Sequence, residues 1–136
     1  MRRIVVIVSA VVLPGCARPL YDAAHATRPY PKQLHQAGSV DIQAFRDGPR
    51  LEIVNSTPRS YRDLDVWINQ RYLAHLDAMA AGQTVVMSLW DFWDERGDRL
   101  SAGGFWRTQR PTPVRLIELQ VGQDQPLIGL IAIPQE

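Results

Sequence analysis

Leu64-Asp65-Val66-Trp67-Ile68-Asn69 decides the fold class of this chain. Leu64, Val66 and Ile68 alternate with Asp65, Trp67 and Asn69, the period of two expected of a strand with one face in a core. Asn69-Gln70 then offers a turn into a second run over residues 71–76. On the N-terminal side, Leu51 and Ile53 share one face of a strand over 50–55. Asn55-Ser56-Thr57-Pro58 ends it, because proline removes a donor while Asn and Ser make local turn bonds. Residues 40–45 form the strand before it, closed by Asp47-Gly48-Pro49. Residues 77–82 read as a helical turn or a loop, and 74–81 is the best helix candidate in the chain. On the C-terminal side, 84–93 reads as a longer strand reversed by Glu95-Arg96-Gly97-Asp98. Strands over 100–108, 114–121 and 127–133 follow, the first broken by Gly103-Gly104 and the last two joined by residues 122–126. Seven to eight short strands with turn signals about every 8–12 residues predict an all-β sandwich or barrel in a single domain, residues 39–136.

A resemblance narrows this expectation. Leu51-Glu-Ile-Val-Asn-Ser-Thr, Leu64-Asp-Val-Trp-Ile-Asn, and Leu76 followed by Ala81-Gly82-Gln83-Thr84-Val85 resemble bacterial immunoglobulin-like modules, most closely the cell-adhesion-related CARDB type. The resemblance spans about 40 residues and implies an immunoglobulin-like β-sandwich. The Trp-Asp-Phe-Trp-Asp block and the tail after Gly103 depart from it. Such modules mostly bind or space, but fold does not settle function.

The first sixteen residues carry an address. Arg2 and Arg3 precede an apolar run from Ile4 to Leu13, which ends in Leu13-Pro14-Gly15-Cys16. The run is far short of the ~20 residues of a spanning helix, and its order is that of a secretory signal. It resembles the signal peptide of a bacterial lipoprotein, residues 1–15, with Pro14 departing from the usual lipobox residues. The resemblance implies that Cys16 becomes the acylated first residue of the mature chain, membrane-anchored through lipid. Neutral Ala17 after it implies an outer-membrane destination facing the periplasm in a two-membrane organism. Cys16 is the only cysteine, so the domain has no internal disulfide to rely on. Residues 16–38 carry Pro19, Pro29, Pro31 and Gly38 with little periodicity and read as a lipidated cysteine and flexible tether. A partner-binding peptide around Arg28-Pro29-Tyr30-Pro31 is the alternative for that stretch.

Charge excludes one class of partner. The precursor has 15 basic and 14 acidic side chains, and cleavage removes Arg2 and Arg3. A chain without basic excess gives no electrostatic reason to expect nucleic acid.

Catalytic chemistry is not visible either. His25 and His35 fall in the expected tether, His75 stands alone near Arg71 and Asp77, and no Gly-x-Ser-x-Gly elbow exists. No His or Cys cluster suits zinc. Asp91, Asp94, Glu95 and Asp98 lack the ligand spacing of a calcium loop and read as a charged hairpin tip around Gly97. The chain is therefore read as a non-enzyme, with no cofactor and no metal.

The aromatic cluster remains. Trp90, Phe92 and Trp93 fall within four residues, and Phe105 and Trp106 lie on the strand expected to pair back. Alternation puts Val85, Met87 and Leu89 on one face. A bulge near Asp91 would bring Phe92 to the core side, but not all three rings together. Trp67 sits on the polar face of its own strand. These rings pack a second face of the sandwich, or meet an envelope protein partner, or stack on glycan. The expected contact residues are Trp67, Trp90, Trp93 and Trp106.

Overall fold

A computed structural model describes residues 19–36, 38–105 and 109–133. The signal peptide, Cys16 and Trp106 lie outside the described residues. Among the described residues the chain is all-β, with seven strands and no α-helix. These are β1 (Ser39–Asp47), β2 (Arg50–Asn55), β3 (Tyr61–Ile68), β4 (Tyr72–Met79), β5 (Thr84–Ser88), β6 (Ile117–Val121) and β7 (Ile128–Ile133). They form one mixed sheet in the order β4-β3-β6-β7-β1-β2-β5. Only β1 and β7 pair in parallel; the other neighbours are antiparallel.

The sheet curls around one main core, to which most of its strands turn apolar side chains. Leu64, Val66 and Ile68 of β3 share a core cluster with Ile117 and Leu119 of β6. Ile42 and Ala44 of β1, and Leu51 and Ile53 of β2, belong to the same cluster. Residues from both halves of a seven-stranded sheet can join one core only if the sheet wraps around it. The bend lies at β7. Its Ile128 and Gly129 pair with β6, while Gly129 to Ile133 pair with β1, whose register shifts between Ser39 and Gln43. A strand that changes neighbours at an irregularity is the usual way to make such a corner. Gly129 allows the close approach: a Cβ there would sit 2.7 Å from the Gly38 carbonyl oxygen.

The two edge strands are brought together by the excursion after β5. The Ser88 hydroxyl accepts a hydrogen bond from the Trp90 N–H at 3.3 Å and starts a 3-10 turn over Leu89–Asp91. Trp93 then exchanges both backbone hydrogen bonds with Leu73 of β4, at 2.8 and 3.1 Å. The architecture is nearly barrel-like.

Three expectations about elements are corrected here. The strand expected over 84–93 ends at Ser88, because the capped 3-10 turn breaks the alternation. Trp90, Phe92 and Trp93 consequently all become buried, which a continuous strand forbids. No strand forms over residues 100–105, where Gly103 and Gly104 adopt positive φ. Residues 77–79 complete β4 rather than forming a helical turn. The Asn69-Gln70 turn forms as expected, with both φ values positive (53° and 56°) as a two-residue hairpin of this hand requires.

The N-terminal stretch differs most from its reading. Residues 19–36, expected as part of a flexible tether, run across the sheet, with backbone bonds to the loops beside it and side-chain bonds to β3 and β6. The Leu20 carbonyl accepts from the Arg99 N–H (2.7 Å), Asp22 N–H donates to Gly97 (2.9 Å) and Thr27 N–H to Asp94 (2.9 Å). Leu127 N–H donates to Leu34 (3.0 Å). Low periodicity is also what a strap without secondary structure of its own produces, so composition alone misleads. Among the described residues no helix is long and apolar enough to cross a membrane.

Candidate functional site

The sheet has two outer faces, and the strap covers one of them. Over β4-β3-β6 the outward side chains are Asp65 and Trp67 of β3 and Glu118 and Gln120 of β6. The register pairs Asp65 with Gln120 and Trp67 with Glu118. Strap residues satisfy each of them. Arg28 lies 2.6 Å from the Asp65 carboxylate, donates to Gln120 Oε1 at 2.7 Å, and stacks its guanidinium 4.9 Å from the Trp67 ring. Trp67 Nε1 donates to the same Gln120 oxygen (3.2 Å), while Gln120 Nε2 donates to the carbonyls of Gln123 and Gln125. The Tyr30 hydroxyl donates to Glu118 (2.8 Å), and its ring meets Trp67 edge-on at 5.3 Å. Nδ1 of His35 approaches the other Glu118 oxygen at 2.5 Å. Burial and the adjacent carboxylate of Glu118 together push the Tyr30 hydroxyl far above its ordinary pKa.

This network accounts for Trp67. It points to the polar side of its strand as the alternation requires, but with Leu73, Leu127, Tyr30 and Leu34 it forms a second, smaller core beneath the strap. Trp67 is fully buried, and Trp90 and Trp93 are 7% exposed. Three of the four tryptophans expected to contact a partner thus pack inside the molecule, as the core alternative has it. Trp106 lies outside the described residues. His25 and His35, expected to lack any rigid support, are held by the docked strap. His25 stacks on Trp93 at 4.4 Å and 16°, and His35 meets Glu118. His75 lies on β4 beside Asp65 (3.2 Å), Asp77 (3.5 Å) and Asp63 (3.7 Å) and is half-exposed.

The acidic hairpin tip is built around Asp94. Its Oδ1 accepts the N–H groups of Arg96 (2.9 Å) and Asp98 (2.8 Å), and its Oδ2 meets Arg71 at 2.7 Å. Burial raises the carboxyl pKa, but these N–H groups and the Arg71 guanidinium outweigh it and hold the group below the usual carboxylate range. Gly97, at φ +85°, completes the turn against the strap, where a Cβ would lie 2.5 Å from the Asp22 carbonyl oxygen. Among the described residues no group of three or more His, Cys, Asp or Glu side chains is placed to hold a metal ion. Beside the tip a cleft of about 550 Å³ opens between the strap and the β3–β4 turn. Tyr30, Lys32, Gln70, Arg71, Glu95 and Arg96 are among the residues that line it.

The opposite face, over β7-β1-β2-β5, carries no strap among the described residues. The register aligns Ile133, Phe45, Glu52 and Val86 in one row across four strands, and Ile131, Gln43, Val54 and Thr84 in the next. Comparison with family models, curated proteins and solved structures finds no match. The site must therefore be read from its own chemistry. Val86 (58%), Ile131 (44%) and Ile133 (37%) are exposed, while Phe45 and Val54 are half-buried between them. The apolar rows are bounded by the Asp47–Arg50 ion pair on one side and by exposed Asp41 on the other. Glu52 sits in the middle with no ion pair among the described residues. An apolar centre inside a polar rim is the anatomy of a protein contact. None of these residues was singled out in the sequence. The available signal was the second apolar set in β5 and β7, Val86 and Ile131-Ala132-Ile133, where a half-exposed strand would carry polar residues.

Proposed function

We propose that the chain is a lipid-anchored envelope protein. Acylated Cys16 holds it at the outer membrane, facing the periplasm, and a non-enzymatic domain binds or positions another envelope protein. The basic start, the short apolar run and Leu13-Pro14-Gly15-Cys16 support the anchor. The strand order supports an immunoglobulin-like sandwich. Splitting the sheet at the β7–β1 corner yields a β4-β3-β6-β7 layer facing a β1-β2-β5 layer, with the parallel β1–β7 pair at the seam.

One observation carries the binding role. One outer face is covered by the chain's own strap, whereas the other, among the described residues, leaves the Ile133–Phe45–Glu52–Val86 row open. The occupant that fits is an apolar protein surface with a basic side chain opposite Glu52. Such a partner covers Val86 and Ile131 and removes the isolation of the carboxylate. The glycan reading loses its stacking platform with Trp67, Trp90 and Trp93 buried. The test is the size of the detergent-solubilised complex formed by the acylated chain. Val86→Asp with Ile131→Asp should reduce it to the isolated protein while leaving thermal stability within about 0.5 kcal/mol per surface substitution. A complex of unchanged size in a folded double variant would sink this face as the contact.

A further inference from the structure

The strap leaves almost no free chain between the anchor and the domain. Leu20 is already bonded to Arg99, Tyr21 pairs with Asp98, and Asp22 is bonded to Gly97. Leu20 also packs against the main core. Four residues of fully extended chain from Cys16 to Leu20 reach at most about 14 Å. A polar headgroup layer is itself roughly 5–8 Å thick. A domain on so short a leash cannot stand off from the bilayer.

We propose that the pole built from residues 20–25 and 95–99 is a lipid-contacting surface, pressed against the headgroups of a zwitterionic phospholipid bilayer. The inference rests on Cys16 being the acylated residue. Tyr21 is 61% exposed there, a ring with a polar tip of the kind that settles at a membrane interface. Asp22 is paired with His25 at 3.0 Å, and Asp98 with Arg71 at 3.2 Å, so neither presents a bare carboxylate to phosphate. The Arg99 guanidinium stacks over Trp93 at 4.7 Å and Trp90 at 5.7 Å. Glu95 and Arg96 are exposed at the hairpin tip and make no ion pair among the described residues. A phosphate for Arg96 and an ammonium for Glu95 occur together in a phosphatidylethanolamine headgroup. The balance of the two charges disfavours a purely anionic surface as the specific partner. The strap thereby fixes orientation: the pole sits beside the β3–β4 turn, where Arg71 meets Asp98, whereas the β6–β7 turn sits against Asp63, with the Gly122 N–H donating to the Asp63 carbonyl at 3.4 Å. The five residue steps of β3 from Asp63 to Ile68 separate the two by about 17 Å.

The test uses the full acylated chain in phosphatidylethanolamine–phosphatidylcholine vesicles carrying a headgroup nitroxide lipid. A fluorophore is placed on Ala24→Cys at the pole or on Asp124→Cys in the β6–β7 turn. The mass of the Cys16 peptide is read first, and an unacylated cysteine would sink the anchor proposal itself together with this one. With Cys16 acylated, quenching at position 24 should exceed that at position 124 at least three-fold. A twenty-residue Gly-Ser insertion after Arg18 should reduce the ratio to about one. Tyr21→Asp combined with Arg96→Glu should also lower it. Equal quenching at the two positions in an acylated chain would overturn the lipid-contacting pole alone.

Discussion

Replacing Arg28 by alanine should release the strap without unfolding the sheet. The side chain makes an ion pair with Asp65 at 2.6 Å, with the two side chains 23% and 17% exposed. That lies between the exposed and buried limits, so loss of the pair costs about 1–2 kcal/mol. The bond to Gln120 adds roughly 1 kcal/mol, and the stacking on Trp67 about 0.5–1 kcal/mol. Against this, the Arg28 Nε is buried with no hydrogen-bond partner, and its removal returns about 1 kcal/mol. The net loss is about 1.5–3 kcal/mol, a factor of roughly 10–150 in the docked population of the strap. Hydrogen exchange at Thr27 and Leu127, whose N–H groups join the strap to the Asp94 tip and to the β6–β7 connection, should accelerate by about that factor. Tryptic cleavage after Lys32 should appear on the same scale, and exchange in β2 should be unchanged. Arg28→Lys should fall between, because an ammonium lacks the fork that reaches Asp65 and Gln120 together. Exchange and cleavage equal to wild type in Arg28→Ala would refute the strap's dependence on this residue.

Three further outcomes follow from the same contacts. Gly97→Ala places a Cβ against the Asp22 backbone at a positive φ, and should cost about 1–3 kcal/mol or more, read as a lower melting temperature with faster exchange at Asp22. The Asp94 carboxyl is held below its ordinary value in the folded chain, so its contribution is present above about pH 4 and lost as pH falls through the depressed folded value. Asp94→Asn should therefore flatten the acid limb of a melting-temperature profile; an unchanged limb would contradict the assignment. Tyr30→Phe removes the bond to buried Glu118 and should destabilise by about 1–2 kcal/mol in chemical denaturation.

The legible part of this fold was the part ruled by alternation. β2 was read with its observed bounds, and the Asn69-Gln70 turn and the 122–126 connection were placed correctly, because a half-buried strand writes its period directly into the sequence. What was not legible depends on partners distant in sequence. Asp65, Trp67, Glu118 and Gln120 look like a solvated strand face until Arg28 and Tyr30 are known to lie over them. Nothing local to residues 19–36 announces that docking, since its bonds run to residues 65, 94, 97, 99, 118, 120 and 127. The Ser88-capped turn, which buries three neighbouring aromatic rings, is likewise a local break that alternation alone extends through. The open apolar face escaped notice because its rows are assembled from β7, β1, β2 and β5, four strands that register brings together.

Photo-crosslinking from Val86 in the acylated protein, within intact envelopes, tests the central claim most directly. A single discrete adduct from Val86, absent from an Ala78 control on β4 and lost in Ile131→Asp, is the predicted result. No adduct from Val86, or the same adducts from Val86 and Ala78, would contradict it.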